Sequence, residues 1–169
     1  MKKITVALIH DHQLIRHGLK LMINTFDRFH VVYESENGKE LIENIGKLKI
    51  KPDIALIGIS YPSDEGIKVI NFIEEHNIAI KCIALTLDVD HDSVFKMINA
   101  GAKAYFLKTS SFELMKQTML DVYKFGASYS TFVVEKLLEH KNKKVSEEKK
   151  LKFTPELSKR ELEFIKLFC

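Results

Sequence analysis

The chain has 169 residues and a formal net charge of +3, with 46% hydrophobic and 29% charged residues. That mix excludes a disordered chain, and apolar runs no longer than a strand exclude a transmembrane helix. Two cysteines, Cys82 in an apolar run and Cys169 at the last position, form no disulfide framework or metal-spaced thiol set and fit a reducing compartment.

The opening MKKITVALIHDH is too short in apolar residues for a secretory leader. It ends in His10-Asp11-His12 without a small-residue cleavage site, so the cytoplasm is the expected location. KITVALI (3–9) reads as a strand, and LIRHGLKLMIN (14–24) places apolar residues at helical spacing. FHVVYES (29–35) is the next strand. KELIENIGKL (39–48) is a helix entered through Asn37-Gly38. DIALIG (53–58) and EGIKVINFIEEH (65–76) form a third strand and helix. AIKCIALT (79–86) is a strand, and DSVFKMINA (92–100) a helix closed by Gly101. AKAYFL (102–107) is the last strand, and SFELMKQTMLDVYKF (111–125) a helix capped by Ser110 or Ser111. Strands with continuous apolar runs are buried on both faces. Alternation of such strands with helices predicts an α/β fold. The expected form is a doubly wound, five-stranded parallel sheet of flavodoxin-like order 2-1-3-4-5.

The first domain is expected over 1–127, with a helical extension and lysine-rich linker over 128–152 and the start of a further helical domain over 153–169. The stretch KNKKVSEEKKLK (141–152) holds six lysines and two glutamates, or +4, which leaves −1 (+3 minus +4) for the rest. A solvated linker is the ordinary reading of such a run, and help in holding a polyanion is the functional one.

Ligands of open parallel sheets bind at the carboxyl ends of the strands. Those ends carry His10 and Asp11, Gly58, Thr86 and, just beyond the fifth strand, Lys108. An acid, a hydroxyl and an ammonium therefore converge on one rim.

Several motifs in order then carry a resemblance: VALIHDHQLIRHGLKLMI, PDIALIGISYPSDEG, IALT, AGAKAYFLK and LSKRELEFIKLF. Together they resemble the receiver domain of a bacterial response regulator of the LuxR/NarL type, followed by the start of its C-terminal helix-turn-helix domain. The resemblance covers nearly the whole chain. It implies a phosphoacceptor aspartate at the end of the third strand, an acidic pair after the first, Mg²⁺ held by these carboxylates, and Thr86, Tyr105 and Lys108 as hydroxyl, switch aromatic and lysine.

The chain departs from that pattern at two places. Gly58 stands at the phosphoacceptor position and has no nucleophile. His10 replaces one acid of the pair, and imidazole is a poor ligand for Mg²⁺. An atypical receiver is therefore expected, one that aspartyl phosphorylation does not activate, and a histidine kinase partner is put in doubt. Lys108 is expected to pair with Asp11 directly. No cofactor is expected. His10, His12 and His17 raise a Zn²⁺ or Ni²⁺ site, but adjacent residues at a strand end point different ways, so no metal site is expected either.

The implied function is a degenerate receiver of a DNA-binding transcriptional regulator that acts through dimerisation. The last helix offers Phe112, Met115, Met119, Val122 and Tyr123 for a homodimer. DNA would be bound through the remainder of the C-terminal domain and by no residue of this chain. The alternative is a protein- or ligand-interaction module, with Tyr105 as its marker. An enzyme with His10 as base finds no support in a glycine-rich phosphate loop, nucleophile elbow or cofactor fingerprint.

Overall fold

The computed structural model describes residues 2–59, 64–86, 91–107, 109–131, 133–135 and 138, with only the backbone of residues 59 and 91–93. The chain divides into two units, 1–133 and 134–169, and every element below belongs to the first. Five strands alternate with five helices: β1 (Ile4–Ile9), α1 (Gln13–Thr25), β2 (Phe29–Ser35), α2 (Gly38–Asn44), β3 (Ile54–Ile59), α3 (Glu65–Glu75), β4 (Lys81–Thr86), α4 (His91–Asn99), β5 (Ala104–Leu107) and α5 (Phe112–Phe125). A 3-10 turn at Ile45–Lys47 shortens α2 relative to the apolar pattern. All pairings are parallel, and the strand order is β2-β1-β3-β4-β5, as the sequence pattern predicts.

The alternation along each strand divides the core into two layers. Ile4, Val6 and Leu8 of β1 pack with Ile54 and Leu56, Ile83 and Leu85, and Phe106, beneath Ile23 of α1 and Met115, Met119 and Val122 of α5. Ala7, Ala55, Cys82 and Ala84 face the other way, against Leu41 of α2, Val69, Ile70 and Ile73 of α3, and Met97 of α4. Ala7, Ala55 and Cys82 lie side by side across three strands. Their small side chains leave room for the branched residues of α3. Each fully buried Leu or Ile contributes about 1.5–3 kcal/mol, so these two layers dominate the stability of the domain.

The caps follow local chemistry. The Asn37 side chain accepts the Glu40 N–H at 3.0 Å, and the Ser111 hydroxyl accepts the Leu114 N–H at 3.3 Å. Gly101, with φ +111°, turns the chain after α4, where a left-handed conformation suits glycine.

One expectation changes. Of the five α5 residues offered for a dimer face, Met115, Met119 and Val122 are core and Tyr123 is half-buried, so only Phe112 is exposed. The helical stripe that reads as surplus is the stripe that covers the sheet. The exposed apolar residues of this layer are Leu14 and Leu21 of α1 and Phe112, Leu114 and Phe125 of α5. No helix among the described residues is long and apolar enough to cross a membrane.

Candidate functional site

Ile9 of β1 lies opposite Ile57 of β3. One step further along both strands stand His10 and Gly58, with the same parity as Leu8 and Leu56. The register therefore makes neighbours of two residues 48 apart in sequence. The His10 N–H donates to the Ser35 carbonyl at 3.1 Å and extends the β1–β2 ladder by one residue. The His10 side chain is buried, with 1% of the residue exposed. A β-carbon at Gly58 would lie 2.7 Å from His10 Cδ2, 3.1 Å from His10 Cγ and 3.2 Å from the Ile9 carbonyl oxygen. Non-bonded carbons do not approach to 2.7 Å in close-packed interiors, so the imidazole takes the space a side chain at 58 would need.

The ring is held from its other side. The His12 N–H lies 3.0 Å from His10 Nδ1 and 2.9 Å from Asp11 Oδ1. Asp11 Oδ1 is also 3.0 Å from His10 Nδ1 and 2.8 Å from His12 Nδ1. The Arg16 guanidinium, one turn into α1, donates to the His10 carbonyl. Partial burial opposes ionisation of Asp11. Hydrogen bonds from the His12 side chain and N–H, with the charges of His10 and His12, outweigh it and hold the carboxyl below its usual value.

His10, Asp11 and His12 bring their donor atoms within 4.8 Å of one another. This corrects the expectation that adjacent residues here point apart: the chain turns from β1 into α1 at these residues, and the turn folds their side chains together. His17 is not among them. A cavity of about 60 Å³ opens beside them, lined by Ile9, His10, Asp11, Glu36, Asn37, Gly38, Gly58, Glu65 and Gly66. It has room for a few waters rather than for a cofactor. Among its unforeseen members are Glu36 and Asn37. Their signal in the sequence is position alone, directly after the end of β2.

Thr86 is buried at the end of β4, between Ile59 and Leu107 in the ladder. Tyr105 is half-buried against the layer of α2, α3 and α4. Lys108 and its expected pairing with Asp11 lie outside the described residues. The structure thus brings His10, Asp11 and Gly58 together, and sets Thr86 on the same strand-end rim.

The profile of the response regulator receiver domain matches residues 6–120. The chain belongs to this family. It is 36% identical over 114 residues to the transcriptional regulatory protein YdfI of Bacillus subtilis, covering 68% of this chain and 52% of YdfI. The chain thus spans about half the length of that relative. Its fold is that of a LuxR-family two-component response regulator from Aurantimonas sp. SI85-9A1, with a TM-score of 0.71, 20% identity, and 83% and 99% of the two chains covered. It is also that of RcsB in a structure of two RcsB dimers bound to two parallel DNAs, with a TM-score of 0.69, 20% identity, and coverage of 80% and 68%.

The Mg²⁺ that the receiver resemblance implies does not fit the positions at which that resemblance places its ligands, although Glu36 and Glu65 line the same cavity. Mg²⁺ demands several oxygen ligands in a near-octahedral arrangement. Of the acidic positions that the resemblance implies, only Asp11 carries a carboxylate. One of its oxygens is already surrounded by the His12 N–H and two imidazole nitrogens. The second acid is the buried His10, and the third position is Gly58.

Proposed function

We propose that this receiver is a degenerate one, the regulatory domain of a LuxR/NarL-type DNA-binding transcription factor that aspartyl phosphorylation does not activate. The observation that carries this reading is the imidazole of His10 packed over Gly58, at the position where the resemblance places the phosphoacceptor. No carboxylate stands there to attack a phosphoryl group, and none could be seated without moving the ring. The domain then catalyses no reaction and needs no histidine kinase. The helical extension and lysine-rich linker expected over 128–152, and the opening of a helix-turn-helix domain expected over 153–169, lie largely outside the described residues. DNA is read by the remainder of that domain.

Such a receiver acts through pairing. Leu14, Leu21, Phe112 and Phe125, all well exposed on the α1/α5 layer, support a homodimer through this side. RcsB, of the same fold, is found as dimers on DNA. The test is incubation with Mg²⁺ and acetyl phosphate, read by intact mass, beside light scattering at micromolar concentration. No gain of mass and a dimer are expected, with a monomer for the variant L14D/F112D. A gain of one phosphoryl group would refute the reading of the pocket.

A groove of about 460 Å³ between α3 and α4 favours a second reading. Its lining includes Lys68, Asn71, Phe95 and Lys96. It would suit a domain that binds a ligand or partner on the side where Tyr105 packs. Loss of one partner in Y105A, with DNA binding by the complete regulator intact, would select this reading.

A further inference from the structure

We infer that His10 and Gly58 are a single interlocked unit, in which the imidazole is a plug that fills the place a side chain at 58 would take. Neither residue can then be returned to the receiver pattern alone. The inference rests on the reading of this receiver as degenerate and goes further, because it names the residue that enforces the silence.

Two independent neighbours hold the plug in place. On one side His10 Nδ1 lies 3.0 Å from both the His12 backbone N–H and Asp11 Oδ1, so it accepts from the first when it carries no proton and donates to the second when it does. On the other the ring edge lies over Gly58, with Cδ2 where a β-carbon would come within 2.7 Å. The His10 backbone is fixed as well, through its N–H to Ser35 and its carbonyl to Arg16. The ring therefore has no cheap retreat. The next contact, the Ile9 carbonyl at 3.2 Å, asks only for a shift of a few tenths of an ångström. The imidazole, not the strand backbone, is the main obstacle. Overpacking of this kind destabilises a core, and removing the opposing side chain relieves it.

The chemical consequence follows. A carboxylate at 58 could attack the phosphorus of acetyl phosphate. A new P–O bond forms, the P–O bond to the acetyl group breaks, and acetate leaves with the electron pair. Mg²⁺, added as the ion, screens the charge that moves. A carboxylate introduced by G58D has no seat beside the ring. In H10D/G58D the seat is open, and the acid of the pair is restored with it.

The experiment is a mutant cycle on the full chain with two readouts. Thermal unfolding compares wild type, G58A, H10A and H10A/G58A. The melting temperature of G58A is expected to fall by about 5 °C or more, and the same substitution in the H10A background to cost less than half of that. A G58A that fails to fold beside an H10A/G58A that folds supports the interlock equally. A G58A as stable as wild type, or an equal cost in both backgrounds, overturns it.

Intact mass after acetyl phosphate and Mg²⁺ then compares G58D with H10D/G58D. One added phosphoryl group in the double variant alone is expected. Equal gain in both, or none in a folded double variant, overturns the assignment of the plug. A gain by wild type would refute the degenerate reading itself and is seen separately, since the unfolding cycle does not depend on it.

Discussion

The two edges of the sheet use polar groups differently. At the amino-terminal edge they join segments far apart in sequence. The Thr5 N–H and hydroxyl both donate to Asp53 Oδ2 at 2.8 Å, linking β1 to the entry of β3. The Tyr129 hydroxyl donates to the Ala102 carbonyl at 2.7 Å, and Lys103 pairs with Glu74 at 2.8 Å. At the carboxyl-terminal rim the bonds join near neighbours in sequence: the His12 N–H reaches His10 Nδ1 and Asp11 Oδ1, His12 Nδ1 meets the same Asp11 oxygen, and the Ser35 hydroxyl donates to the Asn37 carbonyl at 3.0 Å. One edge staples the fold, and the other shapes a pocket. The Cys82 thiol shows the first edge at work. Burial, with Glu74 adding to it and Lys103 opposing, pushes its pKa up to about 12.

The difference predicts an order of stability effects. D53A should cost the most, about 2 kcal/mol, because it leaves the Thr5 N–H without its charged acceptor and leaves the hydroxyl only the Lys51 carbonyl at 3.1 Å. Urea unfolding measures it, and a cost below that of D11N would break the comparison. Y129F should cost about 1 kcal/mol, the value of one hydrogen bond to a carbonyl in a half-buried place. The same unfolding curves check it.

D11N should cost least, since Asp11 is half exposed and its partners are immediate neighbours in sequence. Its signature is pH. The folded carboxyl titrates below its ordinary value, so the contribution of Asp11 is complete above the unfolded value of about pH 4. It is lost as pH falls through the lower folded value. The stability difference between wild type and D11N should therefore stay level above about pH 5 and shrink below pH 4. A difference that grows on acidification would show that Asp11 is not held in its charged form.

Much of the fold was legible because its signals are local. Apolar periodicity marks each strand and helix, and Asn37 and Ser111 cap where their side chains suggest. Even membership of the rim, for His10, Asp11, Gly58 and Thr86, can be read from where the strands stop. The surface was less legible. Phe112 and Met115 look equivalent along α5, yet one is exposed and the other buried, because helical spacing alone does not say which way the stripe turns.

By itself the sequence determined the order of elements, the parallel five-stranded sheet and the absence of a nucleophile at 58. Each of these depends on residue type and on spacing within a segment. Only the tertiary structure decided that His10 lies on Gly58, that Glu36 and Glu65 share their cavity, and that three successive polar residues fold back on one another. Those facts depend on the register between β1 and β3 and on the path of the chain at the rim. Register couples residues 48 apart in sequence, and no local pattern carries that distance.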